Sequence, residues 1–183
     1  ASYDFDTHTL TLDNATITSA LAHQSPIDFD IHGSAIYSSE PLNIELIGDC
    51  SLTTGSVSSL GELYIHGSEG SSLRLNYHIL TMDDLNIQSV SLTATNSNIQ
   101  SLSSVSFNDA VVSIDSAGAE GFVTTGGLSF SNDSFAEIVN CSEINVIGAF
   151  AMTDSVVYVY AEYGMSAGSV TMTASSLSVE IPE

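Results

Sequence analysis

The chain has 183 residues, and its 22 carboxylates face a single basic side chain, Arg74, for a formal net charge of −21. With no Lys and one Arg, nothing can neutralise a phosphate backbone or seek an anionic lipid surface, which speaks against nucleic acid and membrane surfaces as partners. Divalent cations, neutral glycans and basic surfaces stay compatible with such a charge.

An apolar content of 43% is enough for one domain with a sizeable core. Helix formers are scarce, Ser and Thr abound, and β-branched residues alternate in short runs, so strands are expected throughout. No apolar run approaches a membrane-spanning length. The chain opens inside a structured phrase without a signal peptide, as expected of a piece of a longer exported protein.

Residues 1–20 hold a first strand pair, with Leu10 and Leu12 alternating against Thr9, Thr11 and Asp13. Tyr3 and Phe5 are expected to close the open end of the core, as a terminal cap must. Residues 21–41 fit the later pattern poorly. Ile27-Asp28-Phe29-Asp30-Ile31 reads as an alternating strand in one irregular turn, bracketed by Pro26 and Pro41.

From Leu42 a repeat is clear. An apolar-x-apolar step recurs at Leu42/Ile44, Leu63/Ile65, Leu85/Ile87, Val105/Phe107, Leu128/Phe130, Phe150/Met152 and Val170/Met172, with starts 21, 22, 20, 23, 22 and 20 residues apart. The period-2 rule points these residues inward and sends the intervening positions out. Those outward residues include Asn43/Glu45, Tyr64/His66 and Asn86/Gln88, and nearly all are polar. A second inward pair follows a corner: Leu52, Leu73/Leu75, Leu92/Ala94, Val112/Ile114, Val157/Val159 and Leu177/Val179, with Phe135 expected to fill the slot of the fifth repeat. A third, shorter pair is expected at Ile79/Met82, Ile99/Leu102, Phe122/Val123, Ile144/Val146 and Tyr163/Met165.

Three faces per turn of about 21 residues describe a single-stranded parallel β-helix, a β-solenoid. The crossover rule makes it right-handed. One domain over 1–183 is expected, irregular over 1–41 and regular over 42–183. Cys50 and Cys141 lie more than four repeats apart. At about 4.8 Å per turn that is roughly 20 Å, too far for a disulfide.

"YDFDTHTLTLDNATITS" at 3–19, "SEPLNIELIGDCSLTTG" and "GELYIHGSEGSSLRLN" resemble the repeats of bacterial exported right-handed parallel β-helix proteins of the carbohydrate-binding domain-containing type. The likeness covers about the first hundred residues and continues as repeat pattern alone. It departs in lacking Lys, and in Asp49-Cys50 where that family often has Asp or Glu before Asn. The resemblance implies bound calcium, a surface location and glycan binding.

Candidate sites are few. Tyr158 and Tyr160 should face outward on one strand, because Val157 and Val159 face inward. Asp115 and Glu180 are expected beside them, one turn to either side. Such a platform suits a sugar: a ring stacks on its apolar face while carboxylates accept its hydroxyl hydrogens. Calcium is the candidate cofactor, and Asp28, Asp30, Asp83 and Asp84 are its candidate ligands, since it needs six to eight oxygens. Asp28 and Asp30 share a strand face and could also form an acid–base pair. The histidines at 8, 23, 32, 66 and 78 show no zinc spacing. Arg74 reads as a surface residue beside a carboxylate rather than a lyase base, and no catalytic residue is assigned.

The sequence thus points first to a non-enzymatic, extracellular or cell-surface bacterial binding or adhesion module for carbohydrate. A structural stalk or spacer with neighbouring domains in a larger surface protein comes second, and a polysaccharide-cleaving β-helix enzyme third.

Overall fold

The computed structural model describes residues 1–20, 33–118 and 120–181. Among these there are strands and turns only, wound into a β-solenoid of about seven turns with about 21 residues per turn. Asp28, Asp30, His23 and His32 lie outside the described residues.

The repeat read from the sequence is the register of the first face. Leu42 pairs with Leu63, Leu63 with Leu85, Leu85 with Val105, Val105 with Leu128, Leu128 with Phe150 and Phe150 with Val170. Below them, Thr9–Asp13 adds a further parallel rung, with Leu10 opposite Ile44 and Leu12 opposite Leu46. The second face is an eight-stranded parallel sheet running from Thr16–Ile17 to Ser176–Glu180. The third face runs from Ser34–Ser38 to the first part of Met165–Thr173. Ile144–Thr153 bends between two faces, pairing Ile144 with Phe122 and Phe150 with Leu128.

Three sequence expectations are corrected here. Ala136 and Ile138, both buried, fill the fifth slot on the second face, and Phe135 points outward at 38% exposure. On the third face the inward partners of Ile79, Ile99 and Phe122 are Thr81, Ser101 and Thr124. Met82, Leu102 and Val123 do not fill that position, and Met165 with Ala167, rather than Tyr163, continues the column. At the N-terminal end, Ser2–Asp4 pairs antiparallel with Thr9–Asp13. Tyr3 and Phe5 meet edge to face at 4.9 Å, yet both stay exposed, so the cap is a strand laid on an edge rather than a ring plugging the core.

The buried hydroxyls on the third face have a physical reason. Ser59, Thr81, Ser101 and Thr124 each end a third-face strand and serve the corner that follows. Ser59 Oγ donates to the Glu40 carbonyl at 3.1 Å and accepts the Gly61 N–H at 3.2 Å. Thr81 repeats this with the Gly61 carbonyl (2.7 Å) and the Asp83 N–H (3.2 Å). Ser101 does so with the Asp83 carbonyl (2.8 Å) and the Ser103 N–H (2.9 Å), and Thr124 donates to the Ser103 carbonyl. A satisfied hydroxyl can be buried at little cost, and here it fixes the turn-to-turn stacking.

The corner between first and second faces uses left-handed backbone instead. Asn14, Gly48, Ser89, Asp109, Asn132, Asp133, Asp154 and Ala174 all have positive φ. Asn and Asp tolerate that region better than other side chains. The corner between third and first faces needs glycine for space. A Cβ on Gly148 would lie 2.4 Å from the Gly126 carbonyl oxygen on the neighbouring turn. Gly148→Ala should therefore cost about 1–3 kcal/mol through forced backbone separation, read as a lower midpoint in thermal melting. An unchanged midpoint would contradict the close stacking.

The core is one continuous cluster, from Leu12 to Ala161. Its middle is aromatic: Phe107 stacks on Phe130 at 4.9 Å and meets Phe122 edge-on at 5.8 Å. Cys50 and Cys141 are both buried free thiols.

Candidate carbohydrate platform on the second face

The alternation of Val156–Ala161 buries Val157, Val159 and Ala161 and leaves Tyr158 and Tyr160 at 40% and 42% exposure. One turn back, Phe135–Cys141 alternates the same way, and sets Phe135 and Glu137 outward. Glu137 is the direct neighbour of Tyr158. Phe135 and Tyr158 are in ring contact, centroids 5.9 Å apart and planes tilted by 55°. One turn forward, Glu180 pairs with Tyr160 and Ser178 with Tyr158. The negative charge of Glu180 is the main cause that pushes the Tyr160 phenol above its ordinary range, followed by partial desolvation and contact with the same carboxylate.

Three exposed rings therefore stand on adjacent turns, with a carboxylate on each side. Phe135 also borders a shallow groove of about 600 Å³ along the corner, lined by Asp133, Asp154, Val156 and Ser175 among others. Rings and carboxylates in this arrangement can stack on a pyranose and accept from its hydroxyls.

The structure brings Tyr158, Tyr160 and Glu180 together as expected. It does not bring Asp115 to them. The strand Phe135–Cys141 lies between, and Asp115 pairs with Val139. Its Oδ1 accepts from the Ala117 N–H at 3.1 Å and from Asn140 Nδ2 at 3.1 Å, so Asp115 holds a corner. Sequence reading missed Phe135 and Glu137. The signal was present in Phe135-Ala136-Glu137-Ile138, an alternating run whose inward member is the small Ala136.

Asp83 and Asp84 lie on the corner after Ile79–Thr81. Asp83 Oδ1 accepts the Asp84 N–H at 3.0 Å, and Asp84 Oδ1 accepts the Ser104 N–H at 2.9 Å on the next turn. Both carboxylates thus cap backbone N–H groups at this corner, and among the described residues no group of three or more His, Cys, Asp or Glu side chains gathers. Arg74 is outward on the second face, between Ser51 and Thr93.

One carboxyl has a perturbed titration. Burial raises the Glu120 pKa first, and the Glu143 charge and hydrogen bonding to it add to the rise.

Among the described residues no helix is long and apolar enough to cross a membrane. Comparison with protein-family models, curated proteins and solved structures finds no match to this chain.

Proposed function

We propose that this chain is a non-enzymatic extracellular or cell-surface module that binds a neutral glycan on its second face. The observation that carries the reading is the exposed triad Phe135, Tyr158 and Tyr160 flanked by Glu137 and Glu180. A sheet fixed by parallel pairing on both sides holds the rings without loop reorganisation, which lowers the ordering cost of binding. The charge of −21 repels uronate polymers, so neutral sugars are the matching class.

The test is a melting screen of the full chain against soluble neutral and acidic polysaccharides, followed by affinity electrophoresis. A glycan that binds only the folded state raises the midpoint. Tyr158→Ala/Tyr160→Ala should weaken retention by about tenfold or more, because ring truncation at an aromatic anchor costs 2 kcal/mol or so. Retention that ignores this double variant rules out the second face as the site.

A second reading, a rigid spacer in a larger surface protein, is favoured by one observation: a single apolar core runs without a break from Leu12 to Ala161, as a stiff rod requires. That reading expects no glycan to shift the midpoint.

A further inference from the structure

The outer surface of the first face changes character along its own columns. At the later turns the outward residues are short: Ser129/Ser131, Ala151/Thr153 and Thr171/Thr173. At the earlier turns the same register positions carry Tyr64/His66, Asn86/Gln88 and Ser106/Asn108, larger hydrogen-bonding side chains at every position but Ser106. Solvation alone needs no such contrast, since short polar residues serve the later turns.

These early side chains are ordered by one another. The Tyr64 and His66 rings stack with centroids 4.9 Å apart and planes within 24°. The Tyr64 hydroxyl donates to Gln88 Oε1 on the next turn. Glu62 Oε1 accepts from Asn86 Nδ2 at 2.9 Å, and Asn86 Oδ1 accepts from Ser106 Oγ. Asn108 Oδ1 accepts from Asn132 Nδ2 at 2.8 Å. Each amide is thereby fixed by its oxygen. That leaves the Gln88 and Asn108 –NH2 groups as outward donors, with the second Glu62 oxygen and the phenol oxygen as acceptors. Glu62, Tyr64, Asn86, Gln88, Ser106 and Asn108 together line one depression of about 240 Å³.

We propose that this depression is a second neutral-glycan site, which reads vicinal hydroxyls of a pyranose with the carboxamides and Glu62 while Tyr64 borders the ring. A vicinal diol offers two donors and two acceptors at close spacing, and the four ordered groups supply the matching set without rearrangement. The site stands on different residues from the second-face triad and does not depend on it. Its centre lies three turns away, about 14 Å along the axis, and on another face, so one short oligosaccharide cannot occupy both.

The experiment uses the full chain in gels containing neutral β-glucan, mannan or galactan, with calorimetric titration of short oligosaccharides from whichever is retained. In the Tyr158→Ala/Tyr160→Ala background, retention should persist, and adding Tyr64→Ala should weaken what remains by about tenfold. Tyr64→Phe, which keeps the ring and loses the bond to Gln88, should weaken it less. Asn86→Ala serves as a second variant, and native melting curves exclude unfolding as the cause. If the second-face variant alone abolishes retention, or if Tyr64→Ala and Asn86→Ala change nothing, the first-face site is refuted while the second-face reading stands. Retention that ignores Tyr158 and Tyr160 but is lost with Tyr64 supports this site and refutes the other. No retention on any neutral polysaccharide overturns both.

Discussion

Phe107→Ala should destabilise the protein by about 3–5 kcal/mol, the range for deleting a fully buried aromatic. At this chain length that corresponds to a midpoint roughly 10 °C lower. Phe107 has no exposed surface, and two rings, Phe130 and Phe122, would each lose a ring contact. The register supplies an internal control. Met172 occupies the same position of the repeat as Phe107, through Phe130 and Met152. It sits on the last rung at 42% exposure, so Met172→Ala should cost under about 1 kcal/mol. Denaturant melts of the two variants check this. Because each turn touches only its neighbours, the Phe107 variant should also unfold less cooperatively, with a smaller m-value. Equal costs at Phe107 and Met172 would mean that the stacking order of the turns is wrong.

The first face was legible because its signal is redundant: two large apolar residues per turn, spaced by one, in every copy from Leu42 to Val170. The second face was legible except at the fifth repeat. A reading that seeks large apolar side chains takes Phe135 inward, whereas the pleat puts Ala136 and Ile138 inside and leaves Phe135 to the surface. That slip propagated to the candidate site. Passing over one strand made Asp115 a neighbour of the tyrosines, and it hid Glu137, the true neighbour. The bulge between Ile138 and Cys141, with Asn140 at positive φ, gives no apolar signal at all. The third face was legible at Ile144/Val146 and in its first members, and its second members were missed for a different reason. Its inward Thr81, Ser101 and Thr124 are polar, and only the corner carbonyls they bind make their burial favourable. Those carbonyls lie a whole turn away in sequence. Hydroxyl burial of this kind is decided by backbone geometry that local hydropathy does not encode. The ordering of Tyr64, Gln88 and Asn86 is likewise a property of stacking: each residue reads as an ordinary outward polar position until the register sets them side by side.

Lowering the pH from 7.5 to 5 should stabilise this protein, opposite to the usual acid response. Acid normally unfolds proteins by protonating carboxylates that native cations hold. Here the chain has 22 carboxylates and one Arg, so few such pairs exist to lose, and the compact state gathers a charge that the unfolded chain spreads out. Glu120 gives the local case. Burial first, then Glu143, raises its folded pKa above the ordinary glutamate value of 4.5. The folded state therefore binds that proton more tightly than the unfolded state does. Its stabilising contribution is fully present below 4.5 and is lost as pH rises through the folded value. Asp4 has the opposite shift, lowered from 3.8 chiefly by the Asp6 backbone N–H, so its contribution is lost only at lower pH than this window. The expected gain is on the order of 1–2 kcal/mol, or roughly 5 °C in midpoint, measured in the presence of a chelator. Sodium chloride near 1 M, where the screening length falls to about 3 Å, should recover much of it at pH 7.5. Glu120→Gln should raise the midpoint at pH 7.5 and flatten the pH response. A midpoint that falls between pH 7.5 and 5 only when the chelator is left out would mean that a bound cation holds native carboxylates. A fall in chelator as well would mean that the folded carboxylates have favourable partners within the protein, and that self-repulsion does not govern its stability.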